Sequence, residues 1–478
     1  MKSPWWLPLG VFLAVAVAIM YPAWMGDGQL MLLDLPTADH KYLLLGFLTM
    51  AGMAAFTLAR SAEAAVLPAY MGGLLYTLNP YTIDRLWSGQ WRVLAGYAVA
   101  PLLVSLAMGA VRQGGRWRWY GLALAYALLP WRSQHWWVIV TLGGAPVLAA
   151  AVWQAGRCSW RQAAWGIMQG AGLWLIVNAP WLWRPGGNGG LDQLRAADSS
   201  NFGLVSTLPG GLMGTTIGLS GFWYHPFDFL PGLDVVWLVV IIAIIVLAGL
   251  GWWRFMMRQP VVALAAAGVL VVCASVVVLS GWVPATSAIS GAMAAIPGLM
   301  GLRELTKLSG VLALGYAVLA PVGLSELRAY RPLAIIGLMA IIVTMAPAIG
   351  GGGYIKNYTY PAGWAEVKFT LDQAVNRRVV VLPFAGYFVA PWAGDRLIGN
   401  QARAYFGQDM LVGTSTGNAS FDTRREVDTM LDLSDLEAME PTHVLILATN
   451  QVTLDEQELA LAGWRVTIRN TDASLGTK

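Results

Sequence analysis

Charge is what this sequence has least of. Lys, Arg, Asp and Glu together make up 12% of its 478 residues, about half the share of an ordinary soluble domain, roughly 25%. A water-soluble chain of 51.4 kDa could not cover its surface with so few ionised groups, which excludes a soluble globular enzyme. Cysteine is scarce as well. Only Cys158 and Cys273 are present, both in apolar segments, so no disulfide framework or Cys-based metal site is available. The third shortage is of ionisable residues at the centres of the apolar runs. Ion-coupled transporters place such groups near the bilayer midplane, so their lack counts against transport.

What is abundant is apolar. The hydrophobic share is 57% and the mean hydropathy is +0.58, which excludes disorder and collagen-like structure. The 24 Trp residues suit aromatic belts at the two membrane interfaces. The composition predicts a polytopic α-helical membrane protein.

A spanning helix needs roughly 20 apolar residues. On that basis spans are expected near 5–24, 42–59, 64–79, 93–111, 119–131, 136–154, 163–182, 235–253, 260–281, 309–325 and 333–349, about eleven in all. The first run follows Lys2 but has no clear small-residue cleavage site before Met25, so it reads as a retained span. Gly350-Gly351-Gly352-Gly353 is a flexible linker by composition. It divides a membrane domain, 1–350, from a second domain, 351–478.

Basic residues set the orientation. One set of loops holds Lys2, Arg60, Arg112, Arg116, Arg118, Arg157, Arg161, Arg254, Arg258, Arg328 and Arg331 against Glu63 and Glu326. These loops are expected in the cytoplasm. The opposite loops carry Asp27, Asp34, Asp39, Asp84, Asp192, Asp198, Asp228, Asp234 and Glu304, with His40, His135 and His225. An inside N-terminus and an odd number of spans put the C-terminal domain outside the cell membrane. The long glycine-rich stretch 183–233 also falls on that outer side, and loops of such length are usually functional.

Asp34 sits between Leu32-Leu33 and Leu35-Pro36. A partly desolvated carboxylate there would have a raised pKa and could take a proton from a hydroxyl. Asp27, between Gly26 and Gly28, is the rival; ordinary solvated loop acids are the bland alternative. In the next outer loop, Asp84, Arg85, Ser88 and Arg92 could share one side of a short interfacial helix, with Trp87 and Trp91 anchored in lipid. An aromatic belt with snorkelling arginines would look the same. His135 beside Arg132 could bind phosphate or be plain interfacial polarity. Arg303 and Lys307, four apart, would lie on one helix face and suit a phosphate. The alternative is an Arg303-Glu304-Lys307 surface network worth little energetically.

In order along the chain come Asn79-Pro80, Asp84-Arg85-Leu86, Gly89-Gln90-Trp91, Ser133-Gln134-His135, Gly221-Phe222-Trp223 and Leu302-Arg303-Glu304 with Lys307. Over nearly the whole chain this pattern resembles an actinobacterial and archaeal group of GT-C membrane glycosyltransferases. That group includes arabinofuranosyltransferase-D-like and pilin arabinofuranosyltransferase proteins. Two departures stand out: Asp84 where Glu is commoner, and Gln134 where Pro is usual.

The resemblance implies a transferase at the outer membrane face. It would move a sugar, with arabinofuranose suggested, from a polyprenyl-phosphate donor to a glycan or protein acceptor. It implies Asp34 as the base, or failing that Asp27, with Arg303, Lys307, His135 and Arg85 around the donor phosphate. Asp84, Gln90, Trp91, Glu304 and Trp223 would then line the substrate. The reaction would be a single inverting displacement with polyprenyl phosphate leaving. A monophosphate donor needs no metal, because Arg and Lys supply the charge; a pyrophosphate donor would favour a divalent ion. No residue acts as a metal ligand by spacing, and no nucleic-acid partner is expected.

Beyond Tyr354 helical and short apolar stretches alternate. Trp364, Val367, Leu371 and Val375 recur at helical spacing, then a strand runs from Arg378 to Phe384. A helix is expected near 421–439, a strand over Thr442–Ala448, a helix near 453–462 and a strand over Trp464–Arg469. This reads as a small extracytoplasmic α/β domain. Tyr387, Trp392 and Trp464 would either stack on sugars or belong to its core. Two other functions remain open on sequence, a flippase for a lipid-linked saccharide and a non-catalytic assembly subunit. The first is disfavoured by the charge-poor spans.

Overall fold

The structure, a computed structural model, describes residues 6–25, 29–32, 40–113, 116–132, 134–155, short pieces between 164 and 176, 202–224, 227–294, 304–374, 377–383, 387–394, 396–407, 410–412, 439–448 and 463–477. The chain forms two compact units. One holds Met1–Met20, Tyr42–Leu86 and Gln90–Gly352; the other holds Tyr21–Lys41, Trp87–Gly89 and Gly353–Lys478.

The first unit is helical: α1 (Trp6–Met20), α2 (His40–Ser61), α3 (Val66–Thr77), α4 (Pro80–Trp87), α5 (Trp91–Gln113), α6 (Arg116–Arg132), α7 (Gln134–Ala155), α8 (Gly211–Ile217), α9 (Leu233–Arg258), α10 (Pro260–Ser280), α11 (Val283–Ala294), α12 (Ser309–Ser325) and α13 (Tyr330–Thr344). Among the described residues eight helical segments are long and apolar enough to cross a membrane. They are Trp6–Trp24, Lys41–Ser61, Trp91–Arg112, His135–Gln154, Leu233–Arg258, Pro260–Ser280, Leu305–Ser325 and Tyr330–Gly353.

Two further runs expected to span form shorter helices that lie alongside membrane-length ones. The run 64–79 contains α3, 12 residues long, and the chain there passes the whole of α12: the Ala65 N–H donates to Ser325 Oγ at 2.8 Å and the Tyr81 hydroxyl to the Lys307 carbonyl at 3.3 Å. The run 119–131 lies within α6, whose 17 residues include Arg116, Arg118 and Arg132 at the ends. The expected span at 163–182 falls mostly outside the described residues.

Small residues let α12 sit at the centre of this unit. Ala313, Ala317 and Ala320 are fully buried, and two glycines bring helices to backbone contact. A Cβ on Gly251 would meet the Leu319 carbonyl at 2.0 Å, and one on Gly323 would meet the Leu247 carbonyl at 1.9 Å. Helices in lipid have no hydrophobic drive toward one another, so such close approach is what holds them. The outward faces of α9 and α10 stay apolar and exposed, through Val239, Ile242, Val246, Leu264 and Val271. A lipid-facing surface needs that composition.

In the second unit, strands β1 (Gln29–Leu30) and β2 (Asn357–Tyr358) pair antiparallel, Gln29 opposite Tyr358. Residues of the first interhelical loop and of the chain after Gly353 are therefore neighbours in this unit. The remaining strands are β3 (Val379–Leu382), β4 (Tyr387–Ala390), β5 (Arg396–Gly399), β6 (Met410–Leu411), β7 (His443–Leu447), β8 (Arg465–Arg469) and β9 (Ala473–Thr477). Five of them form a sheet in the order β6-β3-β7-β9-β8. Its β6-β3-β7 part is parallel and its β7-β9-β8 part antiparallel.

Helix α14 (Gly363–Gln373) turns Trp364, Val367 and Leu371 into the core, all fully buried. A short helix, α15 (Ala402–Phe406), adds Phe406 to the same core. Trp464 is buried with Val380, Leu382 and Val444, which makes it a core residue rather than a sugar platform. Trp392 is half-buried beside Tyr360 and Trp364. The side chain of Tyr387 and the helices expected near 421–439 and 453–462 lie outside the described residues.

Candidate functional site

Local chemistry fixes α4 at its first residue. Asn79 accepts the Thr82 N–H on its side-chain oxygen at 3.1 Å, and Pro80 occupies the position where a missing N–H costs nothing. The amide nitrogen of Asn79 also donates to the Leu75 and Tyr76 carbonyls, at 2.8 and 3.1 Å, tying α3 to α4. Gly89 takes φ +73°, a left-handed turn suited to glycine, and the chain re-enters a helix at Trp91. The sequence pattern Asn79-Pro80 to Gly89-Gln90-Trp91 is thus a helix start and a helix-to-helix turn around one short helix.

That helix is buried, which corrects the expectation that it lies at the lipid interface. Every residue from Pro80 to Trp91 is buried, and Trp87 stacks on Tyr354 with ring centroids 4.9 Å apart. Trp91 is likewise buried, with the Arg92 guanidinium 5.3 Å from its ring; of the group expected on the interfacial face, only Arg92 is exposed.

Arg85 is the centre of the arrangement and is fully buried. Its Nη1 donates to Gln90 Oε1 at 2.6 Å and to Glu304 Oε2 at 3.2 Å, and its Nη2 donates to Thr306 Oγ1 at 2.8 Å. The guanidinium lies 3.9 Å from the Phe222 ring centroid and 5.4 Å from that of Tyr81. Glu304, 4% exposed, receives four donors. Oε1 accepts from Trp223 Nε1 at 2.6 Å and Gln90 Nε2 at 3.1 Å. Oε2 accepts from Arg85 and from Lys307 Nζ at 2.8 Å.

Burial pushes the Glu304 carboxyl up, but the Lys307 ammonium and the Arg85 guanidinium outweigh it and hold it well below the usual carboxylate range. A buried carboxylate with that many donors stays ionised.

Five of the residues singled out in the sequence, Arg85, Gln90, Trp223, Glu304 and Lys307, therefore meet in one cluster. Glu304 and Lys307, expected in a surface network, are buried instead. Leu305–Leu308 form a 3₁₀ turn. The Lys307 N–H donates to the Glu304 carbonyl at 3.1 Å, the i→i+3 closure of that turn, which brings the two side chains together.

Thr306 is a member of the cluster that carried no signal of its own in the sequence, whereas Phe222 belongs to the Gly221-Phe222-Trp223 motif. The Phe222-Trp223 pair is delivered by Gly221, at φ +83°. A Cβ there would meet the Val205 carbonyl at 2.5 Å.

Asp84, next to Arg85 on α4, turns the other way. Its Oδ1 accepts the Phe227 N–H at 3.0 Å. Burial pushes its carboxyl up to about 8, against the opposing pull of that N–H and of Arg85. His135 is half-buried in the first turn of α7. Its neighbour Trp136 packs where a Cβ on Gly310 would stand, three residues beyond Lys307. Asp27, Asp34 and Arg303 lie outside the described residues.

The fold carrying this cluster has a solved counterpart, a cryo-EM structure of a point mutant of arabinofuranosyltransferase AftD from Mycobacteria. The TM-score is 0.50 at 15% identity, over 94% of this chain and 37% of that one. This chain has a GT-C-type fold. It spans little more than a third of the length of AftD, and at this identity the likeness is one of architecture. No protein-family profile and no curated protein matches the sequence.

Proposed function

We propose that the protein is an inverting GT-C glycosyltransferase that moves a sugar from a polyprenyl-phosphate donor to a glycan or protein acceptor at the outer face of the cell membrane. The observation that carries this reading is the convergence of Arg85 and Lys307, with hydrogen-bonding Gln90 and Trp223, on one carboxylate at the loop end of a GT-C-type fold. Departure of polyprenyl phosphate generates negative charge, and cations already fixed in place stabilise that charge most where it develops. Glu304 does the fixing, since it orients a guanidinium from α4 and an ammonium from the 3₁₀ turn. Arg303 and His135 complete the donor-phosphate set, while Asp84 and Trp91 support the substrate side. Arabinofuranose is the first donor sugar to test, after the name of the AftD neighbour.

Asp34 is the proposed base, with Asp27 as its rival, taking the proton from the acceptor hydroxyl as that oxygen attacks the anomeric carbon. Both belong to the loop whose residues Gln29–Leu30 pair with Asn357–Tyr358. The orientation that goes with this reading has the N-terminus in the cytoplasm and the unit after Gly353 outside.

The test is release of polyprenyl phosphate by purified protein in detergent, from synthetic donors carrying a panel of sugars. Asp34→Asn should lower turnover about 10²–10⁴-fold, the usual contribution of a general base, with donor binding retained and Asp27→Asn milder. No release from any donor of the panel would overturn the transferase reading. Full turnover in Asp34→Asn with loss in Asp27→Asn would move the base to Asp27.

A further inference from the structure

We propose that the cleft between Thr207, Ser220 and the 227–234 segment is a saccharide subsite for the acceptor, an inference that rests on the glycosyltransferase reading. The cleft encloses about 310 Å³, and Thr207, Ser220, Phe227, Asp228, Phe229 and Asp234 contribute to its lining. That volume lies at the low end of the roughly 300–1,000 Å³ typical of ligand pockets, suited to a sugar ring or a disaccharide rather than to a long chain.

Its walls are built rather than incidental. Thr215, fully buried, accepts on its hydroxyl the N–H groups of Thr207 and Leu208, both at 3.1 Å, and its carbonyl accepts the Ser220 N–H at 3.1 Å. The Thr207 and Ser220 hydroxyls are thereby held 2.9 Å apart. On the other side Phe229 stacks on Trp237 at 6.4 Å and meets Phe227 edge-on at 4.8 Å.

The lining chemistry matches a polyol. Carboxylates accept short charge-assisted hydrogen bonds from hydroxyl groups, and Ser and Thr hydroxyls both donate and accept. Phenyl rings offer an apolar wall to the C–H face of a sugar. Asp234 stands in the first turn of α9, where an acid also favours the helix dipole; Asp228 is exposed and has no such helix role.

Among the described residues the lining includes no Lys or Arg, which suits a neutral saccharide better than a phosphate. The cationic cluster nearby has the opposite character. The two are joined through α4, where Asp84 holds the Phe227 backbone and the adjacent Arg85 holds Glu304.

The experiment is saturation-transfer NMR of methyl pentosides and hexosides on the full chain in lipid nanodiscs, with no donor present. The wild type should show transfer to at least one glycoside. Asp228→Asn, at an exposed position, should weaken it about tenfold, as for loss of one hydrogen bond to a charged group, and Ser220→Ala should weaken it less. No transfer to any glycoside, unchanged affinity in both variants, or Ca²⁺ binding lost in Asp228→Asn without glycoside binding would each overturn the subsite. Glycoside binding without release of polyprenyl phosphate would instead remove the transferase reading and leave the subsite standing. Turnover with an unchanged acceptor KM in both variants would do the reverse.

Discussion

The two ends of the membrane unit handle charge in opposite ways. At one end Glu63 and Glu326, just beyond α2 and α12, pair with Arg254 and Arg258 near the end of α9. Those side chains are 22–59% exposed. At the other end Arg85, Glu304 and Lys307 pair with 5% exposure or less. The residue types are nearly the same, and water makes the difference. Exposed pairs contribute about 0–1 kcal/mol and fade with salt, so the first set adds little to stability. A buried set is costly to assemble and far costlier to leave half-made, which suits charges held ready for a reaction.

The sharpest test of that contrast is Glu304→Ala. It strips the shared acceptor from two buried cations and should cost about 3–5 kcal/mol, the range for breaking a buried pair. Denaturant unfolding in micelles would measure it. A loss below 1 kcal/mol would mean that water reaches this end as it reaches the other.

The next effect is a slope in pH. Asp84 keeps its proton in the folded chain up to about pH 8, whereas a free aspartate carboxyl loses it near 3.8. Stability from this group is therefore complete below about 3.8, falls as pH rises toward 8 and is flat above that. Unfolding midpoints at pH 5 and pH 8.5 should differ more in the wild type than in Asp84→Asn. Equal differences would show that Asp84 is ionised when folded.

Smaller again is Lys307→Ala, expected to weaken donor use by about 1.5–3 kcal/mol, the range for a hydrogen bond to a charged group. Donor titrations in the release assay would read it; an unchanged donor KM with unchanged turnover would confine Lys307 to structure. Least of all, Arg258→Ala should cost under about 1 kcal/mol and become silent in high salt. A larger loss in unfolding experiments would erase the distinction between the two ends.

The sequence was most legible where physics is local. Long apolar runs announced the eight membrane-length segments. Asn79-Pro80 carries the local chemistry of a helix start, and α4 begins there. It was less legible where burial decides. From residue types alone α4 looks amphipathic, with Trp87 and Trp91 apt for lipid, yet the unit closes around it. The link from Arg85 to Glu304 spans 219 residues and that from Asp84 to Phe227 spans 143. Neither can be seen in any window of sequence. Glu304 looked like a surface partner because Arg303 and Lys307 flank it, whereas its donors come from three separate stretches of chain. Thr306 was missed because a threonine beside a lysine carries no pattern of its own.

The 3₁₀ turn at Leu305–Leu308 has a consequence of phase. Three residues close one full revolution there, whereas in an α-helix, at 3.6 residues per turn, they fall about 60° short. Glu304 and Lys307 are thus matched by winding rather than by distance along the chain. One residue inserted between them would swing the ammonium about a third of a revolution off the carboxylate, while the span that follows kept its length and its hydropathy. The apolar helix would tolerate that slip, and the cluster keyed to its first turn would not.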